Sequence, residues 1–223
     1  MPNSLTITRR PVSISIPQGR LVGELLLPEG PLGTVIFAHG SGSSADSPRN
    51  RYVAEQLAES GLASLLFDLL TIDEADDRPC VFDIELLARR LVVATDWVSA
   101  QREIAQLPVG YFGASTGAAA ALVASTRSPR PIAAVVSRGG RPDLAGDALR
   151  KITAPTLLIV GGNDVEVLQL NRTALFRIPG LKKKLVIIPG ATHIFIEPGT
   201  LEEVTRQATN WFSHHFTRAL NSE

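Results

Sequence analysis

Residues 109–122 read Val109-Gly110-Tyr111-Phe112-Gly113-Ala114-Ser115-Thr116-Gly117-Ala118-Ala119-Ala120-Ala121-Leu122. An apolar run of strand length passes through G-x-S-x-G into an alanine-rich segment, the pattern of a strand that turns sharply into a helix. In such a turn the serine occupies strained backbone, and the glycines two residues to either side leave room for the close packing the turn demands. The helix that follows points its N-terminal N–H groups and the positive end of its dipole at the serine, which favours negative charge developing on a bound group. A serine at the start of a helix is also an ordinary cap. The motif therefore takes its meaning from what surrounds it.

Outward from this turn, strand and helix patterns alternate. Short apolar runs at 34–38, 62–67, 109–113, 132–137, 156–160 and 185–188 predict strands buried on both faces. Between them the segments 51–60, 83–100, 116–125, 165–176 and 201–216 carry helical spacing. In the second of these, Ile84, Leu87, Ala88, Leu91, Val92 and Thr95 form one face, with Arg89, Arg90 and Asp96 off it. Upstream, residues 11–16 and 20–27 alternate around Pro17-Gln18-Gly19, an antiparallel hairpin. The expected architecture is α/β: a single domain over 1–223, with an N-terminal antiparallel hairpin leading into a mostly parallel sheet of about eight strands. Helices cover both faces, and no inserted stretch is long enough to form a lid domain. The region 69–79, where Asp73, Glu74, Asp76 and Asp77 crowd together, reads as a solvated loop; its spacing matches no calcium loop and no His is near. Lys182-Lys183-Lys184 reads as a solvated edge.

Composition narrows the function. Lys plus Arg is 22 and Asp plus Glu is 22, so the formal net charge is zero. Neither nucleic-acid binding through bulk charge nor a polybasic membrane contact fits that balance. A hydrophobic fraction of 44% supports a packed core. The longest apolar run, 118–124, is far short of the roughly 18 to 20 residues a bilayer span needs. Cys80 is the single cysteine and has no disulfide partner in the chain. The first ten residues lack a basic start followed by an apolar stretch, and the expectation is a cytoplasmic protein. The oligomeric state, a homodimer included, is left open.

Two further residues give the serine its company. Asp164 follows the 156–160 run through Gly161-Gly162-Asn163, and His193 follows the 185–188 run through Pro189-Gly190-Ala191-Thr192. In an open parallel sheet both lie beyond strand C-termini, on the rim where Ser115 sits. Ser, acid and His in that chain order are a nucleophile, an orienting carboxylate and a base. Competitors are Glu166 and Asp143 for the acid, and His39, His214 and His215 for the base. His214 and His215 near the end of the last helix are explained by its dipole. The loop His39-Gly40-Ser41-Gly42-Ser43-Ser44 follows the 34–38 strand, so the N–H groups of Ser41 and Thr116 are candidate oxyanion donors. Gly40-x-Gly42-x-x-Ala45 also fits a dinucleotide fingerprint, with Asp68 on a ribose. That rival leaves Ser115, Asp164 and His193 unexplained, its loop follows the third strand rather than the first, and Pro48 delays the helix. Arg138 and Arg141 on the same rim, and Arg49 and Arg51 after the oxyanion loop, are candidates to read a substrate anion, with Asp143 the competing partner.

The stretches 35–44 (VIFAHGSGSS), 47–53 (SPRNRYV), 111–118 (YFGASTGA) and 137–144 (SRGGRPDL) resemble the α/β-hydrolase superfamily. The resemblance covers nearly the whole chain and is to its small, lidless, dienelactone-hydrolase-like members, in a bacterial subgroup some of whose relatives are fused to a phosphoribosyltransferase domain. Dienelactone hydrolases proper use a cysteine nucleophile where this chain has Ser115. The resemblance implies an esterase acting on small carboxylic esters or lactones, with Ser115 attacking the carbonyl. His193 would move the proton, Asp164 would fix the imidazole, and neither a metal nor an organic cofactor would be needed. The contrasting class is a non-catalytic protein that keeps the fold and uses its pocket to bind a small molecule.

Overall fold

The computed structural model describes residues 6–222. Strand β1 (Ile7–Ile16) pairs antiparallel with β2 (Gly19–Pro28), so the hairpin starts earlier than its alternation suggests. Val12, Ile14 and Ile16 are buried between exposed neighbours, and Pro11 is tolerated because β1 is an edge strand with no ladder to feed on its far side. The remaining strands are β3 (Thr34–Ala38), β4 (Ala63–Phe67), β5 (Val109–Ala114), β6 (Ile132–Arg138), β7 (Thr156–Gly161) and β8 (Lys183–Ile188). They complete an eight-stranded sheet in the order β1-β2-β4-β3-β5-β6-β7-β8, antiparallel through β4 and parallel beyond it. This is the mostly parallel sheet that the alternating pattern implies, in the α/β-hydrolase arrangement that the resemblance implies.

The order reverses direction between β3 and β5. After β3 the chain moves outward to β4, then returns to lay β5 on the other side of β3. Crossovers leaving β3 and β5 therefore diverge, and a crevice opens at the carboxyl ends of these two strands. Both the 39–44 loop and Ser115 lie there.

Two apolar layers hold the sheet. On one face α4 (Ile84–Ser99) and α5 (Thr116–Ser125) pack over β3, β5 and β6, and α6 (Val165–Arg177) over β7 and β8, through residues such as Leu87, Leu91, Ala120 and Ala174. On the other, α1 (Pro48–Glu59) and α7 (Thr200–Leu220) seal Phe37, Phe112 and Val136 with Val53, Leu57, Phe212 and Phe216. Helix α5 is apolar all round and buried from Thr116 to Ala124, as a helix enclosed on every side must be. Pro48 does not delay α1 but starts it: it is the first helical residue, where its missing N–H costs nothing, and Ser47 caps the turn by accepting from Asn50 N–H.

Other expectations are corrected. The 69–79 region is not a plain loop but carries the short helices α2 (Ile72–Ala75) and α3 (Arg78–Phe82). Thr71 and Glu74 form a reciprocal capping box around α2. Residues Pro142–Lys151, between β6 and β7, form a 3₁₀ segment kinked at Gly146. Arg90, expected off the buried face of its helix, is 5% exposed; its guanidinium donates to Glu74 Oε1 at 2.6 Å and to Gln18 Oε1 at 3.3 Å. This pair ties α4 to α2 and the hairpin turn.

Removing one partner of a buried ion pair strands the other charge, which costs about 3–5 kcal/mol. Arg90 is the more buried partner, so Glu74→Gln should lower unfolding free energy by about that amount in urea titrations. Arg90→Met, which removes the buried charge itself, should cost less.

Candidate active site

Ser115 adopts φ 51° and ψ −121° between β5 and α5. Non-glycine residues rarely occupy the left-handed φ region, and here the fold imposes it because strand and helix meet with almost no intervening loop. Ser115 N–H donates to Arg138 O, and Ser115 O accepts from the N–H groups of Ala118 and Arg141. A side chain at Gly117 would place its Cβ 2.3 Å from Ala38 O, so glycine is what lets α5 start hard against the end of β3.

The acid and base loops are bonded to each other. Asn163 N–H donates to Ala191 O at 2.9 Å, and Asn163 Nδ2 donates to Gly190 O at 2.9 Å. Gly161 permits this contact, since a Cβ there would lie 2.3 Å from Ala191 O. Asp164 Oδ2 then meets His193 Nδ1 at 2.6 Å. The carboxylate accepts from Nδ1–H, which leaves Nε2 as the ring's free acceptor. Downstream, buried Phe195 holds a positive φ of 56°, and Glu197 accepts from Thr192 N–H, closing the histidine loop on both sides.

Ser115 and His193 line one cavity of about 300 Å³, together with Gly40, Ser41, Arg49, Asn50, Arg138 and Ile194. A second, more apolar cavity of about 280 Å³ shares Gly40, Ser41 and Ser43 with it and extends under Leu70, Ile72, Ala75, Val81 and Leu87. The wall formed by α2 and α3 has no counterpart in the periodicity of 69–79. Its signal is the Thr71-x-x-Glu74 capping pattern.

The 39–44 loop is held by two side chains. His39 Nδ1 donates to Gly40 O at 3.0 Å while Nε2 accepts Leu69 N–H at 3.0 Å, and Asp68 Oδ1 accepts Ala45 N–H at 2.7 Å. His39 is thus structural, and Asp68 braces the loop rather than standing ready for a ribose. The N–H of Ser41, expected as an oxyanion donor, here donates to Thr116 Oγ1 at 2.8 Å. The hydroxyl of the residue after the nucleophile thus occupies the amide.

The remaining candidates separate cleanly. Arg138 is 8% exposed and lines the Ser115 cavity. Arg141 is drawn away from that role by a bidentate pair with Asp143, at 2.9 and 2.7 Å, which also takes Asp143 out of contention as the acid. Arg51 pairs with Asp46 and Glu24. His215 lies with Lys182 in a separate cavity on α7. Burial first, then His214, Lys182 and Arg218, push its pKa down to about 4, so it is neutral near pH 7 and a charge–dipole role does not apply. Cys80 donates to Asp77 Oδ2, and that bond pushes the thiol pKa up, away from nucleophilic thiolate character. Among the described residues no group of three or more His, Cys, Asp or Glu could hold a metal ion, and no helix is long and apolar enough to cross a membrane.

Comparison with known proteins places this geometry. The model of the dienelactone hydrolase family matches residues 22–219. A dienelactone hydrolase from Anabaena variabilis superposes with a TM-score of 0.90 at 54% identity, covering 94% of this chain and 98% of that one. Est1E from Butyrivibrio proteoclasticus shares the fold, with a TM-score of 0.79 at 18% identity over 93% of this chain and 99% of its own. A Mycobacterium tuberculosis protein, provisionally named a phosphoribosyl transferase, is 60% identical over 195 residues, which is 87% of this chain and 44% of that protein. The chain thus spans less than half the length of the curated relatives that it matches most strongly.

The 39–44 loop also carries a pH-sensitive brace. Burial, the dominant cause, lowers the His39 pKa from 6.5, so the folded state holds the ring neutral while the unfolded chain takes up a proton near 6.5. Stability from this residue is present above 6.5 and is lost as pH falls below it. In thermal melts across that range, His39→Gln, whose amide can both donate and accept, should show a flatter decline in Tm than wild type.

Proposed function

We propose that this chain, which belongs to the dienelactone hydrolase family, hydrolyses ester bonds as a serine hydrolase, cleaving small carboxylic esters or lactones through an acyl-enzyme on Ser115. The observation that carries this reading is the 2.6 Å contact of His193 Nδ1 with Asp164 Oδ2, with His193 lining the same cavity as Ser115.

In this mechanism His193 Nε2 takes the Ser115 hydroxyl proton as Oγ bonds to the substrate carbonyl carbon, and the carbonyl π electrons move onto oxygen. Asp164 keeps the imidazole in the required tautomer and stabilises it when charged. The oxyanion is met by Thr116 N–H at the start of α5 and by Ser41 N–H. That second donor exchanges its neutral Thr116 hydroxyl acceptor for a charged oxygen, an exchange favoured because charge-assisted hydrogen bonds are roughly twice as strong as neutral ones. The intermediate collapses with transfer of the imidazolium proton to the leaving oxygen, which departs as an alcohol or, for a lactone, stays tethered to the acyl group. Water then adds to the acyl-enzyme with His193 as base, releasing the acid and restoring Ser115. Cavities of about 300 and 280 Å³ suit small substrates.

With p-nitrophenyl acetate and butyrate, Ser115→Ala should lower kcat by on the order of 10⁶, and Asp164→Asn by on the order of 10⁴ through loss of the productive tautomer. Initial-rate measurements on folded variants check this. Turnover retained by Ser115→Ala would contradict the nucleophile assignment.

A further inference from the structure

Arg138, at the end of β6, lines the Ser115 cavity and has no carboxylate partner among the described residues. Its Nη2 donates to a neutral acceptor, Asn50 Oδ1, at 3.2 Å, and its Nη1 is buried without a partner. No carboxylate acts on it. Burial, and then repulsion from Arg49, lower its pKa to about 10. Arg49 is half-buried on the same wall, and its Nε is likewise buried without a partner. The contrast is with Arg90, equally buried, which the fold supplies with Glu74. Buried charges are retained in proteins when something pairs with them. Here the partner is not part of the chain.

The surroundings say what kind of anion fits. The first turn of α1, a helix of 12 residues, opens into the cavity through Ser47, Arg49 and Asn50, bringing the positive end of its dipole to the same spot. Ser43 also lines the wall. Two guanidinium groups and a helix N-terminus match a dianion with several acceptor oxygens, whereas a single carboxylate leaves one positive charge unmatched. Arg141 and Arg51 add nothing to this count, because Asp143, Asp46 and Glu24 already neutralise them.

We propose that this cavity receives a phosphate monoester group carried by the substrate, with Arg138 and Arg49 as its ligands, so that the bond cleaved at Ser115 belongs to an ester or lactone of a phosphorylated small molecule. The inference rests on the hydrolase reading, since a phosphate held beside Ser115 selects substrates only if Ser115 reacts. The phosphate is a handle and is not itself transferred. Its oxygens displace the amide oxygen of Asn50 from Arg138, and the neighbouring apolar cavity under α2 and α3 takes the uncharged part of the molecule.

The test is calorimetric titration of inorganic phosphate into wild type and Ser115→Ala at constant ionic strength, beside inhibition of p-nitrophenyl butyrate hydrolysis. Saturable binding to both proteins, competitive inhibition in wild type, and affinity lowered by about 10- to 100-fold in Arg138→Met and in Arg49→Ala are expected, as for loss of charge-assisted hydrogen bonds. Arg141→Ala should bind phosphate as wild type does. Arg49→Ala alters a half-buried position, so it reports even if Arg138→Met does not fold. Turnover without saturable phosphate binding, binding that Arg49→Ala and Arg138→Met leave intact, or acetate binding as tightly as phosphate would each overturn the proposal. Phosphate binding to a wild type without esterase activity would instead overturn the hydrolase reading while keeping the anion site.

Discussion

The backbone of Ser115, held at φ 51° between a strand and a helix, is the constraint around which the molecule is arranged. A turn this tight requires the start of α5 to lie almost against the end of β3, which in turn requires glycine at 117 and a helix whose contact face is alanine. Such a helix cannot be amphipathic, so it must be enclosed, and α4, the 3₁₀ segment and the sheet enclose it. The strain is repaid by burial around it. In exchange Ser115 lines the cavity at the start of α5.

The parallel sheet does the rest of the positioning. Because β3, β5, β6 and β7 all run the same way, every loop after them emerges on one rim, and residues far apart in sequence meet there. Asp164 and His193 are brought to 2.6 Å by loops that bond to each other through Asn163 and Ala191. Asp164 and His193 are thus positioned as one unit. The same rim collects charges of two kinds. Arg141 and Arg51 are neutralised by nearby carboxylates and serve the scaffold, while Arg138 and Arg49 face the cavity without any. That difference in pairing, more than position along the chain, separates structural arginines from those available to a ligand.

Much of this was legible in the sequence because it rests on local signals. Continuous apolar runs alternating with helical spacing gave the layered sheet, and G-x-S-x-G between a strand and an alanine-rich helix gave the elbow. Asp164 and His193 could be placed because each follows a strand by only a few residues. What stayed hidden depends on contacts distant in sequence. Arg90 sits at a polar-looking helix position and is buried only because Glu74 reaches it from another element. The engagement of Ser41 N–H by Thr116 Oγ1 joins the 39–44 loop to the start of α5, 75 positions away. The separation of Arg138 from Arg141, three residues away on the same rim, was settled by where Asp143 lies once the 3₁₀ segment folds. Helix α2 was obscured because its acidic composition reads as solvent-facing loop, although Thr71 and Glu74 already form a capping pattern, and α3 because it is only five residues long and starts at Arg78-Pro79.

The catalytic reading of this turn requires that Ser115 be an activated nucleophile. Intact-mass analysis of the folded protein after treatment with a fluorophosphonate, followed by peptide mapping, measures this without any knowledge of the natural substrate. The account predicts a single adduct, on Ser115, with hydrogen fluoride as the displaced product. No adduct on folded wild type, or an adduct on another serine of the cavity such as Ser41 or Ser43, would contradict it.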